Sequence, residues 1–156
     1  MLTIDIPGVE PLQLEHLVLD FNGTLACDGV LLDGVAGLLQ QLSRHVRLHV
    51  VTGDTFGRAR EQLDGAPCEL VILAAPDQAQ AKREYVQRLG PHSVACIGNG
   101  RNDRRMMEAA ALSIAVIQGE GAAPQTVYLA DVVARDVRDA LQLLLNPLRL
   151  SATLKT

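Results

Sequence analysis

Aromatic residues are almost missing from this chain, which has no Trp, two Phe and two Tyr in 156 residues. Its core must therefore be aliphatic, built from Leu, Val, Ile and Ala. Cysteine is scarce as well. Cys27, Cys68 and Cys96 are odd in number and form no Cys-x-x-Cys pair, which argues against a disulfide framework or a zinc site. Cys68 and Cys96 sit at or in apolar runs and read as small core residues. No apolar run approaches membrane-spanning length, and no basic segment followed by an apolar one opens the chain. A cytoplasmic protein without membrane partners is expected. Basic residues are in deficit, with 14 Lys and Arg against 18 Asp and Glu and a net charge of -4. A nucleic-acid surface would need the opposite balance.

What is present suits a single globular domain spanning 1–156. The length fits one domain, and 48% hydrophobic with 21% charged residues supports a sizeable core. Residues 1–15 alternate apolar positions around Pro7-Gly8 and Pro11, which predicts an N-terminal arm or edge hairpin. The run Leu17 to Leu19 predicts a buried strand that breaks into Asp20, Asn22, Gly23 and Thr24. Within 25–32, Asp28-Gly29 marks a tight turn and predicts a small flap. Strands then alternate with helices. Strands are expected at 46–51, 69–73, 93–97, 112–117 and 131–134. Helices are expected from Asp33-Gly34, through Leu63, from Pro76-Asp77, through Ala110, near 124–129 and at 137–145. This is an α/β pattern with a mainly parallel sheet and right-handed crossovers. The tail 147–156 keeps Leu148, Leu150 and Leu154, so it is expected to pack on its own subunit or on a neighbour.

Three strand ends carry polar clusters: Asp20/Asn22/Thr24, Thr52/Asp54/Thr55 and Asn99/Asn102/Asp103. In a parallel sheet these ends share one edge, where open α/β sheets bind ligands. Gly23 permits a sharp turn and clears room beside Asp20. Lys82 leads the helical stripe Lys82, Tyr85, Val86, Leu89, which points it inward. Burial and an early-turn dipole both disfavour a lysine there unless an anion lies near. Its stem could instead carry the ammonium outward. Asp103 leads the stripe Asp103, Met106, Met107, Ala110, although an acid there also suits an ordinary helix cap. Two carboxylates, a lysine, a threonine and several amides suit a Mg²⁺ ion together with phosphate. Asp20 could then attack phosphorus as a carboxylate nucleophile.

Asp20-Phe-Asn22-Gly-Thr24, Thr52, Lys82 and Gly98-Asn99-Gly100-Arg101-Asn102-Asp103 together resemble the motif series of the haloacid dehalogenase superfamily. Within it, Thr52-Gly53-Asp54 and the Gly-x-Gly-x-Asn-Asp form resemble the phosphorylation domain of P-type ATPases. The family called soluble P-type ATPase-like fits best. The resemblance implies a Rossmann-like three-layer sandwich without a cap domain. It implies Asp20 as the nucleophile that forms an aspartyl phosphate and ligates Mg²⁺, with the Asn22 carbonyl as a second ligand. Thr52 and Lys82 would hold the phosphoryl group, and Gly23, Thr24, Gly53 and Asn102 would complete the substrate side. Asn99 stands at the directly ligating acid of the last motif, and Asp103 matches its second, supporting acid.

Two positions depart from that pattern. Family phosphatases carry an acid–base Asp where this chain has Asn22, and an amide can neither protonate a leaving group nor activate water, a role worth about 10²–10⁴-fold. P-type ATPases carry Thr at that position and still phosphorylate their Asp. Asn99 removes a formal charge from the metal shell. The short intervals between motifs leave no room for a cap or a nucleotide-binding domain, so ATP use and ion pumping are not expected. Capless relatives close their sites with a neighbouring subunit, which implies a homo-oligomer. The expected activity is a slow Mg²⁺-dependent phosphohydrolase or phosphotransferase acting on a small phosphorylated substrate. The alternative is a non-catalytic regulatory protein that binds Mg²⁺ and a phosphorylated ligand in the same pocket. A purely structural subunit would leave an inward Lys82 unexplained.

Overall fold

The computed structural model describes residues 1–156. Ten strands and seven helices follow in the order β1 (Leu2–Ile4), β2 (Leu12–Leu14), β3 (His16–Leu19), β4 (Ala26–Cys27), β5 (Val30–Leu31), α1 (Val35–Leu42), β6 (Arg47–Thr52), α2 (Ala59–Gln62), β7 (Cys68–Ile72), α3 (Gln78–Leu89), β8 (Val94–Gly98), α4 (Arg104–Ala109), β9 (Leu112–Val116), α5 (Pro124–Leu129), β10 (Val132–Ala134), α6 (Val137–Leu145) and α7 (Pro147–Leu154). Six strands form one sheet in the order β10-β9-β8-β3-β6-β7, parallel throughout. From the central β3 the chain fills one side with β6 and β7, then returns to fill the other with β8, β9 and β10. The reversal places a crevice at the C-terminal ends of β3 and its neighbours, where ligands bind in such sheets.

The sheet is buried on both faces, which is why its central strands read as continuous apolar runs rather than alternating ones. Leu17 and Leu19 of β3 and Ala95 and Ile97 of β8 join a core of 29 buried residues under α1, α6 and the β1–β2 hairpin. Val18, Val94 and Cys96 point to the other face and pack with Tyr85 and Val86 of α3 and Met106 and Met107 of α4. The result is the expected three-layer sandwich. None of its helices is long and apolar enough to cross a membrane.

The folded chain adds local detail to these expectations. The N-terminal hairpin makes a separate two-stranded sheet rather than an edge of the main one, and it buries Ile4 and Leu14 in the large core. The tail is a helix, α7, whose Leu150 is buried on its own subunit while Leu148 is exposed. Cys68 is only half-buried, at the start of the edge strand β7. Helix α2 is a single turn, because the chain after β6 first makes a Gly57 turn at φ 67°. The first turn of the segment leading into α4 is a tighter 3₁₀ turn over Arg101–Asp103.

A buried hydrogen-bond chain ties three elements together beneath the crevice. His16 Nδ1 lies 3.0 Å from His49 Nε2, and His49 Nδ1 lies 2.9 Å from the Tyr85 hydroxyl. Burial holds both imidazoles below their ordinary pKa, so they stay neutral. These residues lie on β3, β6 and α3, the elements that carry Asp20, Thr52 and Lys82.

Candidate active site

Asp20 follows the last residue of β3, and its N–H donates to the Ile97 carbonyl of β8 at 3.0 Å. The side chain is almost fully buried, where a lone carboxylate would be costly. Lys82 meets it from α3. Its Nζ donates to Asp20 Oδ1 at 2.6 Å and to Asp103 Oδ1 at 2.7 Å, with both Lys82 and Asp103 completely buried. The inward stripe of α3 is thus realised, and the ammonium sits between two carboxylates instead of reaching solvent. Burial alone would lower the Lys82 pKa; Asp103 and then Asp20 more than reverse it, so the lysine stays charged.

Two acids share one cation here, and this strains Asp20. Burial first, and the Asp103 charge second, raise its pKa from 3.8 to about 6, against the opposing pull of Lys82. At about 1.4 kcal/mol per pH unit, that rise costs the metal-free fold about 3 kcal/mol above pH 6. The cost disappears as pH falls through 6 towards 3.8, because the folded state then holds the proton more tightly than the unfolded one. Asp20→Asn removes the charge and keeps the shape. The variant is expected to unfold at a higher temperature than wild type at about pH 8, with the gap narrowing steadily as pH falls through 6 towards 3.8. Calorimetric melting without metal across that range checks it.

Asp103 does not line the cavity. Its second oxygen accepts the Asn99 and Gly100 N–H groups at 3.0 and 2.9 Å, so both oxygens are committed within the protein. It holds Lys82 and the β8–α4 turn from outside the cavity lining. Gly98 must be glycine for this packing, since a Cβ there would lie 2.6 Å from the Asp103 carboxylate. Thr24 is also buried away from the cavity. Its hydroxyl lies 3.2 Å from Asp20 Oδ2 and 3.1 Å from Asn99 Oδ1, so it bridges the two residues. Gly23, at φ 79°, brings its Cα against the Asn99 amide, with which any Cβ would collide. Gly23 and Thr24 therefore shape the site from behind rather than touching a ligand in the cavity. Asp54 is turned aside altogether, its carboxylate accepting the Arg58 and Ala59 N–H groups at the start of α2.

The cavity itself measures about 150 Å³ and has no hydrophobic wall. Asp20, Asn22, Thr52, Gly53, Asn99 and Asn102 line it, together with Thr55, Gly100 and Gln78. Gln78 has no place in the sequence motifs. Its Oε1 accepts the Asn102 amide at 2.9 Å, and its side-chain amide presses on Gly53, where a Cβ would collide with it. The Gly53 N–H makes no hydrogen bond in the protein. The Thr52 hydroxyl oxygen accepts the Asp54 N–H at 2.9 Å, which leaves its own proton free. Donors at the end of β6 thus face the acid at the end of β3.

Asn22 Oδ1 is the one buried side-chain polar atom with no partner. A buried acceptor left unpaired is costly, and Asn22 is among the residues that line the cavity. Asp20, Asn22 and Asn99 bring oxygens to the same space, and an all-oxygen set fits Mg²⁺. Two residues outside the predicted motifs hold the rim. Gln118 Nε2 donates to the Gly23 and Thr24 carbonyls at 3.1 and 2.6 Å, and the Thr126 hydroxyl donates to the Gly100 carbonyl at 2.6 Å.

No protein-family model matches the chain. An uncharacterized protein of Methanocaldococcus jannaschii is 48% identical over 71 residues, covering 45% of this chain and 76% of that protein. Among solved structures, the 3-deoxy-D-manno-octulosonate 8-phosphate phosphatase of Moraxella catarrhalis, bound to magnesium and phosphate, superposes with TM-score 0.72 at 19% identity, over 89% of this chain and 90% of that one. The cobalt-bound deoxy-D-mannose-octulosonate 8-phosphate phosphatase of Haemophilus influenzae gives 0.72 at 17% identity, over 92% and 94%. A haloacid dehalogenase-like hydrolase of Streptococcus pneumoniae gives 0.64 at 13% identity, over 83% and 97%.

Proposed function

Because this chain belongs to the family of the Methanocaldococcus jannaschii protein and folds as a capless haloacid dehalogenase-like domain, we propose that it is a divalent-metal-dependent phosphohydrolase or phosphotransferase working through an aspartyl phosphate on Asp20. One observation carries the reading: a buried aspartate at the end of the central strand, held by a fully buried lysine, faces a small polar cavity with free donors on its far wall. Bound magnesium and cobalt in the two phosphatase neighbours support the use of a divalent metal.

In this reading Asp20, Asn99 and the backbone carbonyl of Asn22 hold Mg²⁺. When bound, the ion neutralises charge on the phosphoryl oxygens and on Asp20. The Thr52 hydroxyl and the Gly53 N–H orient the phosphoryl group towards the Asp20 carboxylate, which the buried Lys82 ammonium holds in place. An Asp20 oxygen forms the new bond to phosphorus as the ester P–O bond breaks, and the leaving oxygen departs with the bonding electrons as an alkoxide or phenoxide that takes its proton from solvent water. Water then attacks the acyl phosphate, releasing inorganic phosphate and restoring Asp20. Asn22 can give no proton to the leaving oxygen and take none from the water. The chain carries no cap domain over the cleft, and in this reading a second copy of the chain covers it.

The missing acid sets an order of substrates. A nitrophenyl phosphate leaves without protonation, so in Mg²⁺ it is expected to turn over at least about 10²-fold faster than glycerol phosphate. Phosphate release under steady-state conditions measures this. Equal rates would contradict the role given to Asn22. Two amides at positions that carry acids in family phosphatases favour a second reading, a regulatory protein that binds the same ligands. Metal-dependent phosphate binding without any turnover would select it.

A further inference from the structure

The 150 Å³ cavity is too small for more than a phosphoryl group and an ion, since small-molecule sites run to about 300–1,000 Å³. The rest of any phosphate ester must lie outside it. One adjoining concavity has the required size. A groove of about 660 Å³ runs between Pro76–Ala79 on one side and Arg101, Asn102 and Arg104 on the other, with one hydrophobic residue among the seven that line it. Gln78 and Asn102 line both spaces, so their amide bridge is the shared wall.

The charges in this groove are unequal in their commitments. Asp77 caps α3 by accepting the Gln80 N–H at 3.0 Å and faces Arg105 at 3.8 Å. Arg105 also donates to Gln80 Oε1 at 2.6 Å, and Arg104 donates to the Arg101 carbonyl at 2.9 Å. The Arg101 guanidinium is exposed and engages no acid or carbonyl of the chain. A guanidinium free in a polar groove matches a carboxylate or phosphate through two parallel hydrogen bonds.

We propose that the ligand is a small phosphate ester carrying a second anionic group, and that Arg101 binds that group in the groove while the phosphoryl end lies over Asp20. This rests on the phosphoryl reading of the Asp20 cavity. The ester spans the Gln78–Asn102 bridge, and those amides are placed to bind its intervening hydroxyls or linking oxygens.

Non-hydrolysable phosphonates read this without turnover. Calorimetric titrations in Mg²⁺ would compare phosphonopropanoate, propane bisphosphonate and propylphosphonate, on wild type and on Arg101→Gln. At least one of the two doubly anionic compounds is expected to bind wild type roughly 10- to 100-fold more tightly than propylphosphonate. The stronger of the two identifies carboxylate or phosphate as the second group. Arg101→Gln should erase that preference and leave propylphosphonate binding unchanged. Equal binding of all three by wild type, or a preference that survives in Arg101→Gln, would overturn the proposal. A beryllium fluoride adduct on Asp20 separates the two levels. If none of the phosphonates binds but the adduct forms, only the Arg101 proposal fails; if the adduct is absent too, the phosphoryl reading fails with it.

Discussion

Lys82→Met is expected to lower the unfolding free energy at about pH 7.5 by about 3–5 kcal/mol, the largest loss of any single substitution near the site. The ammonium at 2.6 Å from Asp20 and 2.7 Å from Asp103 is the only cation between two buried carboxylates. Methionine fills much of the volume but leaves both acids facing each other in a medium that screens them poorly. Urea denaturation would measure the loss. Two companions separate electrostatics from packing. Adding Asp103→Asn to Lys82→Met should recover part of the stability, because only one buried carboxylate then lacks its cation. Acidification should recover part as well, since Asp20 takes up a proton at about pH 6 even with the lysine present and at higher pH without it. A loss that neither companion relieves would assign Lys82 a packing role instead.

Asn22→Asp is expected to raise steady-state hydrolysis of an alkyl phosphate by about 10²–10⁴-fold. Asn22, whose Oδ1 has no partner, lines the cavity with Asp20 and Asn99, so the substitution puts a carboxyl-bearing residue in the cavity wall. The like charge on Asp20 would raise the new acid's pKa and keep it protonated at the start of the reaction, as a general acid requires. The gain should be smaller on nitrophenyl phosphate, whose departure needs no proton. The steady-state level of acyl phosphate should fall, because the introduced carboxyl group, once it has given up its proton, would activate water. An unchanged alkyl phosphatase rate would show that Asn22 is not what limits turnover.

Much of this site was legible because its signals are local. The inward face of Lys82 follows from three apolar or aromatic neighbours at helical spacing, and the structure buries it fully. The strand ends at Asp20, Thr52 and Asn99 follow from apolar runs that stop at polar residues, and parallel pairing brings them to one edge. What stayed hidden depends on contacts far apart in sequence. Gln78 reads as the first residue of a helix, and only the docking of α3 beside the β6 loop turns its amide onto Gly53. Gln118 reaches Gly23 across 95 positions, and no periodicity records that. Asp54 shows the opposite failure. It stands two residues beyond Thr52 in a polar cluster, yet its preference for capping α2 turns it away from the cavity. Thr24 reads as a ligand-facing residue by its motif, whereas its buried hydroxyl bridges Asp20 and Asn99.

The most direct test of the account is the chemical identity of Asp20 during turnover. The protein is incubated with Mg²⁺ and nitrophenyl phosphate, quenched in acid, digested and read by mass spectrometry. A single phosphoryl group on the peptide bearing Asp20, absent without Mg²⁺ and absent in Asp20→Asn, is the predicted result. Metal-dependent release of phosphate with no label on that peptide, or a label that persists in Asp20→Asn, would contradict it.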